Sequence, residues 1–151
     1  MVQLRHTGLY VMELDVMEEF YKKVFGMHTI CSHQIQEDLL IQDIICDSDA
    51  KVCITKLITD QGKVNGTDDM LELIQVIEPK QKSYGFTGNQ IWVQGCMHLA
   101  FGVNDIDETV RTIEKNGGEI YGFSKKIRKM SSGKRCVFCT DPEGNYIEII
   151  G

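Results

Sequence analysis

Four residues along the chain have the chemistry of metal ligands, and they come as two pairs of the same kind. His6 and Glu72 lie in the first half of the sequence, and His98 and Glu148 lie in the second. Two imidazoles and two carboxylates suit a divalent ion such as Ni²⁺, Zn²⁺, Co²⁺, Mn²⁺ or Fe²⁺. Ordinary polar residues on an exposed sheet face are the alternative, so the elements that carry the four residues matter.

The same order of elements surrounds each pair. Each histidine opens a short alternating segment, and a D-x-x-E helix start follows at Asp15 and at Asp105. These signals predict helices over 15–25 and 105–116, each ending near a glycine. Both halves then close on an apolar strand that contains the glutamate. This self-similarity predicts two βαβββ modules in one chain, and therefore an α+β fold.

Alternating and apolar runs predict the remaining strands. Their ranges are 38–46, 51–58, 70–77, 119–123, 134–140 and 146–150. Asp141–Asn145 contains proline, glycine and asparagine, which predicts a turn before the last strand.

Strand alternation decides where the four side chains point. Next to His98, Leu99 and Phe101 share one face and His98 lies on the other. The same count separates Glu148, Glu72 and His6 from their apolar neighbours. Because the helices should cover the apolar faces, the four side chains lean away from them. If the modules pair into one curved mixed sheet, the four converge in a metal-binding cleft on its concave side.

Four motifs in this order resemble the vicinal oxygen chelate superfamily, which includes glyoxalases, methylmalonyl-CoA epimerases, extradiol dioxygenases and bleomycin- or fosfomycin-resistance proteins. The motifs lie in residues 6–27, 71–73, 97–106 and 138–149, and the last reads F-x-x-D-P-E-G-N-x-I-E. The resemblance covers nearly the whole chain and implies one domain over residues 1–151. Its parts are module one at about 4–77, a connector at 78–96 and module two at about 97–151.

The resemblance also implies a site and a chemistry. His6, Glu72, His98 and Glu148 would bind one divalent metal ion. Either Glu148 or Glu72 would move a proton next to a chelated carbonyl, as in a lyase or isomerase of the glyoxalase type that acts on the thiol hemiacetal of an α-ketoaldehyde. The alternatives are an epimerase of the methylmalonyl-CoA type, an iron extradiol dioxygenase, a fosfomycin-type enzyme and a drug-sequestering protein without catalysis.

Charge and cysteine content narrow the partners. The net charge of −6 disfavours nucleic acid, and the absence of a long apolar run or signal-peptide pattern predicts a cytoplasmic protein with no membrane contact. The six cysteines are then expected to be reduced and mostly buried. Cys136 and Cys139 match C-x-x-C, but a strand would point them to opposite faces, so they would not share a metal.

Two segments and the oligomeric state stay open at this point. The basic stretch 125–135 is either a grip for an anionic substrate arm, such as a thiol conjugate or an acyl-CoA, or a solvated hairpin. The aromatic connector 78–96 is either a lid or a packed link. The resemblance implies a homodimer, in which the four ligands come from one chain or from two.

Overall fold

The computed structural model describes residues 4–66, 69–83 and 91–151. It divides into two compact units. The first comprises residues 1–22 and 26–83, and the second comprises residues 23–25 and 84–151. In the described residues, no helix is long and apolar enough to cross a membrane.

A four-stranded sheet organises the first half of the chain. The elements are β1 (His6–Tyr10), α1 (Leu14–Phe25), β2 (His28–Gln36), α2 (Leu39–Ile45), β3 (Lys51–Ile58), α3 (Asp60–Asn65) and β4 (Met70–Glu78). The strands lie in the order β1-β4-β3-β2. Only the β1–β4 pair is parallel, and the other two pairs are antiparallel.

A five-stranded sheet in the second half repeats this order. The elements are β5 (His98–Gly102), α4 (Ile106–Lys115), β6 (Glu119–Ile120), β7 (Arg128–Lys129), β8 (Arg135–Thr140) and β9 (Tyr146–Ile150). The strands lie in the order β5-β9-β8-β6, and β7 pairs with the outer part of β8. The β5–β9 pair is parallel, like β1–β4. The two sheets confirm the predicted α+β class and the two βαβββ modules.

Each sheet has one face of buried apolar side chains. In β4 these are Leu71 and Leu73, and in β9 they are Ile147 and Ile149. Both helices also bury apolar side chains, which are Met17, Phe20 and Tyr21 in α1 and Ile106, Val110 and Ile113 in α4. Each fully buried side chain of this size contributes about 1.5–3 kcal/mol of hydrophobic free energy. The opposite face of each sheet carries polar residues, and in the first sheet it also carries the apolar side chains of Ile54 and Ile74.

The predicted strand at 38–46 is wrong, because Leu39–Ile45 forms helix α2. Asp38 caps the helix: its Oδ1 accepts a hydrogen bond from the backbone N–H of Ile41 at 3.1 Å. Ile41 and Ile45, one helical turn apart, belong to an apolar cluster with Val52 of β3. A short apolar run does not distinguish a strand from a helix by periodicity alone, so tertiary packing made the choice.

The helix start predicted at Asp15 is also wrong. Helix α1 begins at Leu14 after Glu13, whose side chain makes no capping hydrogen bond, and Asp15 lies in the first turn. The helix start at Asp105 is confirmed, since Asp105 is the N-cap and its Oδ1 accepts from the backbone N–H of Glu108 at 2.9 Å. Strand β2 (His28–Gln36) is absent from the strands that the sequence patterns predict.

The cysteines follow the expectation only in part. All six are free. Cys53 and Cys139 are buried, but the other four are half-buried or exposed, so the prediction that most are buried is wrong. The C-x-x-C pair lies on strand β8, as predicted.

Much of the aromatic part of the connector, residues 84–90, lies outside the described residues, and so does the choice between a lid and a packed link.

Candidate metal centre

The first His–Glu pair is built by the parallel strands β1 and β4. Gly8 is the register partner of Glu72, and His6 stands two residues earlier on the same strand face. The Nε2 atom of His6 lies 3.5 Å from Oε2 of Glu72. From the other side, Lys56 of β3 is the antiparallel partner of Glu72, and its Nζ lies 2.7 Å from Oε1. Both carboxylate oxygens therefore have a partner.

The second pair repeats this construction on β5 and β9. Ala100 is the register partner of Glu148, and His98 again stands two residues earlier. The Nε2 atom of His98 lies 3.3 Å from Oε2 of Glu148. The other oxygen, Oε1, accepts a hydrogen bond from the thiol of Cys136 at 3.3 Å. Phe138 lies opposite Glu148 on β8, and its ring meets the His98 ring edge-on at 5.2 Å between centroids.

The two carboxylates are nearly withdrawn from solvent, whereas the histidines are open to it. The Glu72 and Glu148 side chains are 12% and 17% exposed. Burying a carboxylate is costly unless it is paired, which the observed partners achieve. Each half thus presents one accessible imidazole and one oriented carboxylate, and this donor set fits a divalent ion.

Each half brings two candidate ligands together. Within residues 4–66, 69–83 and 91–151, no group of three or more His, Cys, Asp or Glu side chains forms a cluster that could hold a metal ion. A site with four ligands consequently needs both pairs.

An apolar wall borders the first pair. The next residues along β3 and β4 on the face of Lys56 and Glu72 are Ile54 and Ile74, which lie opposite each other. Both belong to the apolar cluster in which α2 takes part. Helix α2, which sequence reasoning missed, therefore lines the face that carries the pair.

The charge of the group that contacts the glutamate differs between the two halves. Burial, reinforced by the hydrogen bond and the charge of Glu148, raises the pKa of the Cys136 thiol to about 11. The thiol thus stays protonated near neutral pH and donates to Glu148. Lys56, by contrast, brings a positive charge to Glu72.

The other two histidines, His28 and His33, contact different carboxylates. His28 Nε2 lies 2.6 Å from Oδ1 of Asp60. His33 Nε2 lies 2.8 Å from Oδ1 of Asp15. Both carboxylates are exposed, at 88% and 84%, which indicates a surface role for the two histidines.

The basic stretch forms a two-stranded hairpin from β7 and the start of β8. Arg135 makes a two-point ion pair with Asp107, at 2.6 and 3.0 Å. Among the described residues, the remaining cations of the hairpin form no ion pair; they are Lys125, Lys126, Arg128, Lys129 and Lys134. Arg128 lies directly opposite Cys136, and opposed residues of an antiparallel pair share a face. Arg128 is thus on the face that carries His98 and Glu148.

The sequence predicted the four residues that form the two His–Glu pairs, but it did not predict Lys56 and Cys136 as partners of the carboxylates. One signal was present for Lys56: it is a charged residue inside a strand that is otherwise largely buried. Cys136 carried no comparable signal, because its contact with Glu148 depends on pairing between β8 and β9.

The family follows from a comparison with known proteins. The family model of the Glyoxalase/Bleomycin resistance protein/Dioxygenase superfamily matches residues 3–149, so the chain belongs to this superfamily. No curated protein matches the chain.

Solved structures share the fold at low sequence identity. A glyoxalase family protein from Bacillus cereus is 19% identical, with a TM-score of 0.84 over 99% of this chain and 93% of that one. The trypanothione-dependent glyoxalase I of Leishmania major is 20% identical, with a TM-score of 0.63 over 100% and 87%. A glyoxylase/bleomycin resistance protein/dioxygenase domain from Frankia is 12% identical, with a TM-score of 0.67 over 99% and 91%. Such likeness establishes the fold.

Proposed function

We propose that His6, Glu72, His98 and Glu148 together hold one divalent metal ion, and that the protein is a metal-dependent lyase or isomerase of the glyoxalase type. The observation that carries the proposal is the duplicated His–Glu pair, built in the same register on two parallel strand pairs. A bound divalent ion would supply Lewis-acid polarisation of a substrate carbonyl.

Glu148 is the better candidate for the catalytic base, and Glu72 for a ligand alone. The Oε1 atom of Glu148 is engaged by a thiol, which is a weak hydrogen-bond donor. The equivalent oxygen of Glu72 is engaged by an ammonium at 2.7 Å. An incoming proton therefore meets less competition at Glu148.

The proposed reaction is a proton transfer between neighbouring carbons. Glu148 removes the proton from the carbon that bears the hydroxyl and the thiol of a hemithioacetal. It returns the proton to the adjacent carbonyl carbon while the hydroxyl proton passes to the former carbonyl oxygen, which yields the thioester of an α-hydroxy acid. No atom is gained or lost, so the chain needs no further reactant.

Positive charge beside the second pair favours an anionic substrate. Arg128 shares the face of Cys136 and Glu148 and lies about two strand spacings from β9, or roughly 10 Å. A carboxylate or phosphate on an extended arm can reach it while the reacting carbons lie near His98. Thiol-peptide conjugates and acyl-CoA both carry such arms.

The test measures metal content and turnover in the same samples. Purified wild-type and Glu148→Gln protein are analysed by metal mass spectrometry, and then assayed with methylglyoxal plus thiol before and after chelation and metal add-back. The expected result is one divalent ion per site, lost or weakened in the variant, with turnover that chelation abolishes. Bound metal without turnover would redirect the search to acyl-CoA epimerisation and catechols. Failure of both proteins to bind nickel, zinc or manganese would reject the four-ligand site.

We further propose a homodimer, and a mixing experiment tells whether one chain or two complete the site. One variant carries His6→Ala and Glu72→Gln, and the other carries His98→Ala and Glu148→Gln. Recovery of metal binding when the two inactive variants are unfolded and refolded together identifies ligands shared between chains. No recovery in a mixed dimer assigns all four ligands to one chain.

A further inference from the structure

Lys56 is a cation in the middle of a strand that otherwise contributes to the core. Its neighbours Thr55 and Leu57 are fully buried. The Lys56 side chain is 34% exposed and its Nζ lies 2.7 Å from Oε1 of Glu72. Because the two residues are register partners on antiparallel strands, the backbone itself brings this ammonium to this carboxylate.

The surroundings make the ion pair stronger than a surface one. Glu72 is 12% exposed, and Ile54 and Ile74 border the pair on the same face. Attraction between opposite charges grows as the local dielectric constant falls. In the metal-free protein, Lys56 thus neutralises a carboxylate that would otherwise be costly to bury.

We propose that Lys56 competes with the metal ion for Glu72 and thereby sets the affinity of the protein for divalent ions. The inference rests on the proposed function to the extent that Glu72 is a ligand. A divalent ion bound to the Glu72 carboxylate would have to share it with the ammonium of Lys56, and the two positive charges would repel each other. The flexible four-carbon stem of lysine lets the ammonium leave without moving β3.

The competition is confined to the first His–Glu pair. In the second sheet, Phe138 stands at the position that corresponds to Lys56, opposite Glu148. No lysine or arginine among the described residues forms an ion pair with Glu148. The two carboxylates are consequently unequal ligands, although the backbone around them is the same.

Metal affinity of the apoprotein tests the proposal without any assay of turnover. Zn²⁺ and Ni²⁺ are titrated against a chromogenic chelator with wild type, Lys56→Met, Lys56→Arg and Lys51→Met. Lys56→Met is expected to bind at least tenfold more tightly, whereas Lys56→Arg keeps the cation and stays near wild type. Lys51 is the matched control, because it lies on the same strand and pairs with the exposed Glu37 at 3.0 Å. Its loss should leave affinity within about twofold.

A double-mutant cycle ties the gain to Glu72. In a Glu72→Gln background, Lys56→Met should give no gain, because the group for which metal and ammonium compete is absent. A gain that persists there, or a Lys56→Met protein that binds no more tightly than wild type, overturns the proposal. Thermal unfolding checks that each variant is folded, and Lys56→Gln replaces Lys56→Met if the latter unfolds.

The outcomes also separate this proposal from the proposed function. If wild type binds metal and Lys56→Met gains nothing, only the role of Lys56 fails. If folded wild type and folded Lys56→Met both bind no ion, the four-ligand site fails and the role of Lys56 fails with it. Binding that is detected only in Lys56→Met supports both.

Discussion

The two His–Glu pairs have the same backbone and different chemistry. In both, a histidine on one parallel strand meets a glutamate two register positions along the other. In the first pair the second carboxylate oxygen faces the ammonium of Lys56, and in the second it faces the thiol of Cys136. The repeat therefore determines where the candidate ligands lie, while single residue differences on the neighbouring strands determine which group contacts each carboxylate.

The difference shows how the two copies of a duplicated module can give their carboxylates different chemical roles. A carboxylate held by a cation suits a fixed role such as ligation, whereas one held by a weak thiol donor can exchange that contact for a proton. Variants in the two halves test this difference, from the largest expected effect to the smallest.

Removal of a carboxylate should affect the halves unequally. Loss of a residue that only orients a ligand costs about 10–100-fold in metal affinity, so Glu148→Gln is expected to cost at least about 100-fold. Glu72→Gln should cost about tenfold, because Glu72 is already shared with Lys56. Competition titration with Zn²⁺ measures both. Equal losses would contradict the inequality between the pairs.

Removal of a hydrogen-bonding side chain should lower the free energy of unfolding more in the turn before β9 than at the cap of α3, the helix before β4. Buried Asp141 accepts through Oδ1 from the backbone N–H groups of Glu143 and Asn145, at 3.0 and 2.9 Å. Asp141→Ala strands these donors and should cost about 2–4 kcal/mol. Thr59→Ala removes the cap of α3, where Thr59 Oγ1 accepts from Gly62 N, and should cost about 1 kcal/mol.

Urea unfolding followed by circular dichroism measures both losses in stability. A larger loss in Thr59→Ala than in Asp141→Ala would show that the turn is not the more demanding connection.

Exchange of the residues opposite Glu72 and Glu148 should exchange the contributions of the two carboxylates to metal affinity. Phe138→Lys places a cation opposite Glu148 and is expected to weaken metal binding about tenfold by charge repulsion. Lys56→Phe should strengthen it by a similar factor. Affinity titration of both variants and of the double exchange gives the measurement. If Phe138→Lys binds as tightly as wild type, a cation at this register position does not decide affinity.

The smallest expected effect concerns the reactivity of Cys136. Its pKa of about 11, raised by burial and then by Glu148, leaves little thiolate at pH 8. Iodoacetamide should modify it far more slowly than exposed Cys46, and faster as the pH rises toward 11.

Glu148→Gln removes one cause of the raised pKa of Cys136, so it should speed modification at pH 8 a few-fold. Peptide mapping by mass spectrometry gives the rates. An unchanged rate in the variant would mean that burial alone protects the thiol.

Much of the architecture could be predicted from the sequence because helices and strands leave local periodic patterns. The apolar stripe of α4 and the alternation of β9 each lie within one element, and the repeat provided each pattern twice. Local patterns failed at Leu39–Ile45, where an apolar run too short to show its period became a helix once Ile41 could pack on Val52.

The candidate ligands illustrate the same boundary. Alternation along each strand puts the candidate ligand on the face opposite its nearest apolar neighbours, for His6, Glu72, His98 and Glu148 alike. This prediction requires no knowledge of strand pairing. That each histidine lies next to its own glutamate depends on strand register. A register shift of one residue would turn one of the two side chains to the other face of the sheet.

By itself, then, the sequence determined the two modules, the helices that follow His6 and His98, and the strands that carry the four candidate ligands, since these depend on residues close together in the chain. Only the tertiary structure decided that Lys56 holds Glu72 and that Cys136 holds Glu148. The physical reason is that such contacts cross between strands, and hydrogen-bond register, set by packing of the whole sheet, brings distant residues within reach of each other.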